Sequence, residues 1–117
     1  MSRRTIAIAA ALSVFALGSS FITANANPLA NQYFNQAVEK SERGNYQGAI
    51  IDYTKSLEIN PRSAIAYYNR GNSKGKLEDY QGAIADYTKS LGFDSQNANA
   101  YNNRGLAKFN LKDYQGA

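Results

Sequence analysis

The run Tyr80-Gln81-Gly82-Ala83-Ile84-Ala85-Asp86-Tyr87-Thr88-Lys89-Ser90-Leu91 has a near copy at Tyr46–Leu57, and its first four residues return as Tyr114-Gln115-Gly116-Ala117. Each step is 34 residues, and Asn69-Arg70-Gly71 recurs as Asn103-Arg104-Gly105 at the same step. Several blocks in one register mark a repeat array, because a fixed period of this size is one supersecondary unit stacked on itself. Tyr80, Ala83, Ile84, Tyr87 and Leu91 fall at i, i+3, i+4, i+7 and i+11, one face of a helix. Tyr67, Gly71 and Leu77 are read as one face of the helix before it. The polar break Glu78-Asp79 separates the two, with Asp79 placed to cap the second helix. Gly44-Asn45 and Lys112-Asp113 are the corresponding breaks. Asn60-Pro61 closes the first unit, since a proline disfavours helix in the residue before it. The expected unit is an antiparallel pair of helices, and the fold class is all-α, an α-solenoid.

Composition narrows the chemistry. The chain has 117 residues, one small domain at most, with neither Cys nor His. Disulfides, thiolate chemistry, imidazole catalysis and the common zinc sites are thereby excluded. The net charge is +4, but Arg3 and Arg4 belong to an N-terminal segment read as removed. The weak excess that remains is scattered, with no basic run longer than Lys74 and Lys76, so a nucleic-acid partner is not expected.

Residues 1–26 read as a signal peptide. Arg3 and Arg4 supply a positive start, Ile6 to Gly18 an apolar core, and Ala24-Asn25-Ala26 a small-residue cleavage site. Cleavage would leave Asn27 first and place the protein in the periplasm, a lumen or the exterior. An uncleaved segment would instead anchor the chain, its only expected membrane contact. Ser13, Ser19 and Ser20 interrupt the apolar run, which argues against a spanning helix.

The repeated residues resemble the tetratricopeptide repeat, in a small exported bacterial form. Tyr67, Tyr80 and Tyr87 stand where that family's pattern has aromatics, and Gly71, Ala83 and Ser90 where it has small residues. Tyr33, Tyr46, Tyr53, Ala37, Ala49 and Ser56 do the same one unit earlier, followed by the family's frequent proline as Pro61. Tyr101, Gly105, Tyr114 and Ala117 continue the match. The resemblance divides the chain into a short extension at 27–29, repeats at 30–63 and 64–97, and an incomplete third repeat at 98–117. It departs from the pattern where apolar residues are usual, at Gln36, Arg70 and Arg104, and where aromatics are usual, at Lys40, Lys74 and Lys108.

The resemblance implies a non-catalytic module, an interaction scaffold or assembly factor for envelope complexes, that holds a protein or extended peptide in a concave groove made by the first helices. The groove positions it assigns are Asn31, Phe34, Asn35 and Val38 in the first unit. In the second they are Ile65, Tyr68, Asn69, Asn72 and Lys76, and in the third Asn99, Asn102, Asn103, Leu106 and Asn110. Chaperone-binding members of the family clamp a C-terminal carboxylate with basic residues where this chain has Phe34, Asn99 and Asn103, and with asparagines where it has Val38 and Asn69. Only Asn69 matches, so that clamp is not expected. Asn35, Asn69 and Asn103 repeat at 34 residues and would grip a peptide main chain as a ladder of amides, unless they bond within the array.

The carboxylates suggest no catalytic pair: the repeated ones, Asp52 and Asp86, belong to second helices, away from the groove. No cofactor and no metal are expected. The charges Arg70 and Arg104 call for partners, and the period suggests pairs between units, Asp52 with Arg70 and Asp86 with Arg104. The first helix of the third unit, with Tyr101, Gly105, Phe109 and Leu111, is expected to expose the face that a second helix covers elsewhere. Self-association through that open end is the alternative to peptide binding.

Overall fold

The computed structural model describes residues 27–114, which form five helices and no strand. They are α1 (Pro28–Glu42), α2 (Tyr46–Ile59), α3 (Ala64–Lys76), α4 (Tyr80–Phe93) and α5 (Ala98–Tyr114). The expected signal peptide and cleavage site lie outside the described residues.

The breaks form as the residue types require. Asn45 Oδ1 accepts from Gly48 N at 2.9 Å, and Asp79 Oδ1 from Gly82 N at 3.0 Å, so each second helix starts on a side-chain cap. The residue before each cap is left-handed, Gly44 at φ +82° and Glu78 at φ +65°. Glycine takes that conformation freely, whereas Glu78 adopts it at a steric cost. α1 begins two residues ahead of the repeat boundary at 30, with Asn27 capping Leu29 and Ala30 and with Pro28 in its first turn.

Small residues set the approach of the helices. A Cβ added at Gly71 would lie 2.9 Å from Tyr87 Cε1 and 3.3 Å from the Ala83 carbonyl, so α3 and α4 touch through backbone. Ala37, Ala49 and Tyr53 fill the α1–α2 seam. Leu57, Ala66 and Tyr67 fill the α2–α3 seam, and Ala83, Tyr87 and Ala107 join α4 to α5. Ser56 Oγ donates to the Ala30 carbonyl at 2.9 Å, and Ser90 Oγ to that of Ala64 at 2.8 Å, one bond repeated in two units.

Three expectations are corrected. Leu77 is not on the buried face of α3; it is the residue that ends the helix, and its side chain is exposed. The third break, Lys112-Asp113, does not form: α5 runs on to Tyr114. Among the described residues no second helix packs back on α5, and a helix then gains one backbone bond with each residue added. The ion pairs lie within units, not between them. Arg70 Nε and Nη2 donate to Asp86 Oδ2 and Oδ1, both at 2.8 Å, and Lys74 Nζ lies 3.1 Å from Asp86 Oδ2. Asp52 is met by Lys40 at 2.8 Å. Toward the preceding unit Arg70 reaches only the Thr54 hydroxyl, at 3.1 Å, and Arg104 likewise reaches Thr88, at 3.2 Å. The guanidinium sits at the junction of three helices, where the carboxylate of its own unit is in bidentate range.

Candidate peptide-binding groove

The polar centre of the groove lies where α3, α4 and α5 meet. Asn72 Oδ1 accepts from the Tyr87 hydroxyl at 2.6 Å and from Asn103 Nδ2 at 3.1 Å. Asn103 Nδ2 also donates to the Tyr68 hydroxyl, at 3.3 Å. These bonds occupy both lone pairs of Asn72 Oδ1 and both hydrogens of Asn103 Nδ2. Asn72 Nδ2 and the Tyr68 hydroxyl hydrogen remain as donors, and Asn103 Oδ1 as an acceptor. That set matches one peptide unit, which brings one N–H and one C=O. Tyr68 and Tyr87 rings stand 5.9 Å apart beneath it.

Burial pushes the Tyr87 hydroxyl up to about 12, aided by its neighbour Tyr68, while the nearby Asn103 amide works the other way. Tyr53 is likewise pushed up to about 12 by burial, against a hydrogen bond with Asn69. Both phenols are therefore neutral at any physiological pH.

Beside this centre lies an open depression of about 390 Å³, lined by Asn72, Lys76, Tyr80, Tyr87, Asn103, Leu106 and Asn110 among others. A second depression, of about 440 Å³, lies over the starts of α1 and α3 and includes Asn31, Phe34, Ile65, Arg62 and Asp94. Lys76 is the one charge in the first, and the second carries one charge of each sign. The lining suits a neutral segment.

Asn72, Asn103 and Leu106 come together at the first depression, with Tyr68 bonded to the same cluster. Asn35 and Asn102 are exposed, whereas Asn69 is half-buried. Phe34 and Val38 are half-buried and pack onto the core, Phe34 meeting Tyr53 edge-on at 5.6 Å. Of the three amides in the expected ladder, Asn103 bonds within the array, to Tyr68 and Asn72, and Asn69 lies near the Tyr53 hydroxyl. Tyr80 and Tyr87 were not among the expected groove residues, because their helical spacing marks them as core. Their position opposite Asn72, one helix earlier, was the signal that they also border the groove.

Asp86 and Arg70 border a different depression, of about 650 Å³, with Tyr67, Lys89 and Phe93. Among the described residues no three carboxylates cluster closely enough to hold a metal ion. None of the described helices is long and apolar enough to cross a membrane.

Family models described as TPR repeat and tetratricopeptide repeat match residues 40–77 and 64–97. No curated protein matches the sequence. The fold is similar to that of the second TPR domain of Spaghetti (RPAP3) bound to the HSP90 peptide SRMEEVD. The TM-score is 0.72 at 23% identity, over 78% of this chain and 84% of that one. It is similar also to the Arabidopsis OM64 TPR domain, with TM-score 0.70 and 27% identity over 74% of this chain and 71% of the other. The TPR2B domain of yeast Sti1, in complex with Hsp70, gives TM-score 0.68 and 26% identity over 74% and 70%. The helix pairs, their spacing and these likenesses agree, and residues 40–97 carry tetratricopeptide repeats.

Proposed function

We infer that the protein is a non-catalytic interaction module that holds a peptide segment of a partner protein in the groove of α1, α3 and α5. The observation that carries this reading is the donor and acceptor set left by Asn72, Asn103 and Tyr68 beside an open, nearly uncharged depression. Similar folds hold HSP90 and HSP70 peptides. This chain has Phe34, Val38, Asn99 and Asn103 at the positions that would clamp a terminal carboxylate. The bound segment is therefore an internal or neutral one, gripped by its main chain and by apolar contact with Leu106. With residues 1–26 as an export signal, the partner lies in the cell envelope or outside, and a scaffold or assembly role fits that setting. An intact mass beginning at Asn27 checks the export reading, and a membrane-bound full-length product contradicts it.

The binding test is a peptide array probed with the full chain. Binders should keep their affinity within about twofold when their C-terminal carboxylate is amidated, since no charge pair is lost. Leu106→Asp and Asn72→Ala should each weaken them about tenfold or more, the range of a lost hydrogen bond or buried apolar contact. Ile51→Asp, at an exposed position on α2, should leave them unchanged. A strong preference for SRMEEVD with a free carboxylate would overturn the neutral-segment reading.

A further inference from the structure

The groove has two furrows, and the repeat relates them. One lies between α3 and α5 over α4 and holds the Asn72 centre; the other lies between α1 and α3 over α2. The 34-residue step carries Tyr68 onto Phe34 and Asn72 onto Val38. The furrow of α1 and α3 thus has a phenyl ring where the other has a phenol, and an isopropyl group where the other has an amide. Phe34 and Val38 pack against Ala37, Ala49 and Tyr53, and neither can give or take a hydrogen bond. The two furrows ask for different chemistry.

The depression of about 440 Å³ opens at the start of this apolar furrow, with Phe34 and the 52% exposed Ile65 in its lining. Its polar groups are turned to the chain itself. Ser56 Oγ donates to the Ala30 carbonyl at 2.9 Å, Ser63 Oγ accepts from Ala66 N at 3.2 Å, and Asn60 Oδ1 accepts from Arg62 N at 3.4 Å. Both charges are engaged as well. Asp94 Oδ1 accepts from Gln96 N at 3.1 Å, and the Arg62 guanidinium lies 5.3 Å from the centre of the Phe93 ring. An apolar side chain that enters here displaces water and breaks none of these bonds. A polar or charged one gives up its own hydration for little in return.

We propose that this depression is a specificity pocket for one apolar side chain of the same extended partner segment whose main chain the Asn72 centre grips, an inference that rests on the groove reading above. The geometry sets the register. Ile65 and Asn72 are separated along α3 by about 10 Å at the helical rise. Passing from one furrow to the next crosses one helix, about 9 Å. The two together make about 14 Å, and an extended chain covers that in about four residues at about 3.3 Å each. The segment this groove selects is therefore uncharged, with a leucine-like residue about four positions from the gripped peptide unit. The main-chain grip supplies affinity without regard to sequence, and the pocket of Phe34 and Ile65 supplies the choice.

The probes are labelled, acetylated and amidated dodecapeptides of Ser, Thr and Asn that carry two leucines, one peptide for each spacing between them. Binding to the full chain is read by fluorescence anisotropy. Affinity should peak at a spacing of about four and there exceed that of the one-leucine peptides by about tenfold or more, the worth of one buried leucine. Ile65→Asp should bring the best peptide down to the one-leucine level, and Asn72→Ala should weaken every peptide alike. Ile65 is half exposed, so circular dichroism and melting of its variant should hold. The one-leucine peptides make the same comparison with the protein unaltered. Binding that needs Asn72 but is indifferent to leucine spacing and to Ile65→Asp overturns the proposal and leaves the groove reading standing. Absence of binding up to millimolar peptide overturns both. A concentration-dependent dimer that Ile65→Asp dissociates would assign the pocket to a second copy and also overturn the proposal.

Discussion

Arg70 shows how far a period can be read and where it stops. The 34-residue step places Arg70, Arg104, Asp52 and Asp86 at fixed angles on their helices, but it does not say which of two adjoining second helices a long side chain selects. Gln36 in the first unit pointed to pairing between units. Lys40 explains it equally well, since it satisfies Asp52 from one turn further along. The Asp86 hydrogen bond is the main influence that holds the Arg70 guanidinium's pKa above its ordinary value. Asp86 is buried, so removing Arg70 alone should cost about 3 kcal/mol by leaving a carboxylate with Lys74 as its only counter-charge. A denaturation cycle on Arg70→Ala and Asp86→Ala should show coupling of about 1–3 kcal/mol. The Arg70→Ala and Asp52→Ala cycle should be additive within about 0.5 kcal/mol. Tyr53 and Tyr87 give a second test. Each folded pKa is raised above 10, so the folded state keeps protons that the unfolded chain releases. Their contribution is complete below pH 10 and is lost as pH rises toward about 12. Stability should therefore fall across that window, with two tyrosines ionising late in an absorbance titration at alkaline pH. Phe substitutions at both positions should remove the late step.

At the scale of elements, helix identity was legible and helix ends only partly so. The caps Asn45 and Asp79 could be named from type and spacing, because a short acceptor before a helical run satisfies an otherwise orphaned N–H. The end of α5 could not. Lys112-Asp113 occupies the place of Glu78-Asp79, and what bends the chain at Glu78 is the packing of α4 against α3, which local sequence does not carry. The groove was legible in the same measure. The period aligned Asn103 with Asn69, and the resemblance put Asn72 in the same groove, but neither showed that Asn103 and Tyr87 would share Asn72. Two glycines in equivalent positions now make opposite predictions. Gly71→Ala should cost about 1–3 kcal/mol, since its Cβ would be forced on Tyr87 and the Ala83 backbone. Gly105→Ala should add about 0.5–1 kcal/mol, since it only restrains the unfolded chain and fills open space. Equal effects in urea titrations would show that the two flanks are packed alike.

Among the described residues, each helix packs on the next and at most brushes the one after. α1 packs on α2 and brushes α3, α5 packs on α4 and brushes α3, and α1 and α5 do not meet. Stability in such an array is a sum of unit and interface contributions, so an end helix can open while the rest holds. α5 is that helix: α4 covers one side of it, and Tyr101, Leu106 and Phe109 are all about half exposed or more. α3 and α4, by contrast, are locked by Gly71, by Asp86 with its two cations, and by the Ser90 bond to Ala64. Native-state hydrogen exchange should therefore find α5 amides opening at a free energy about 1–2 kcal/mol below the global value, with little dependence on denaturant. The α3 and α4 amides should exchange only through global unfolding. If α5 instead exchanges with the global slope, the described helices open as one unit and the end helix is no weaker than the rest.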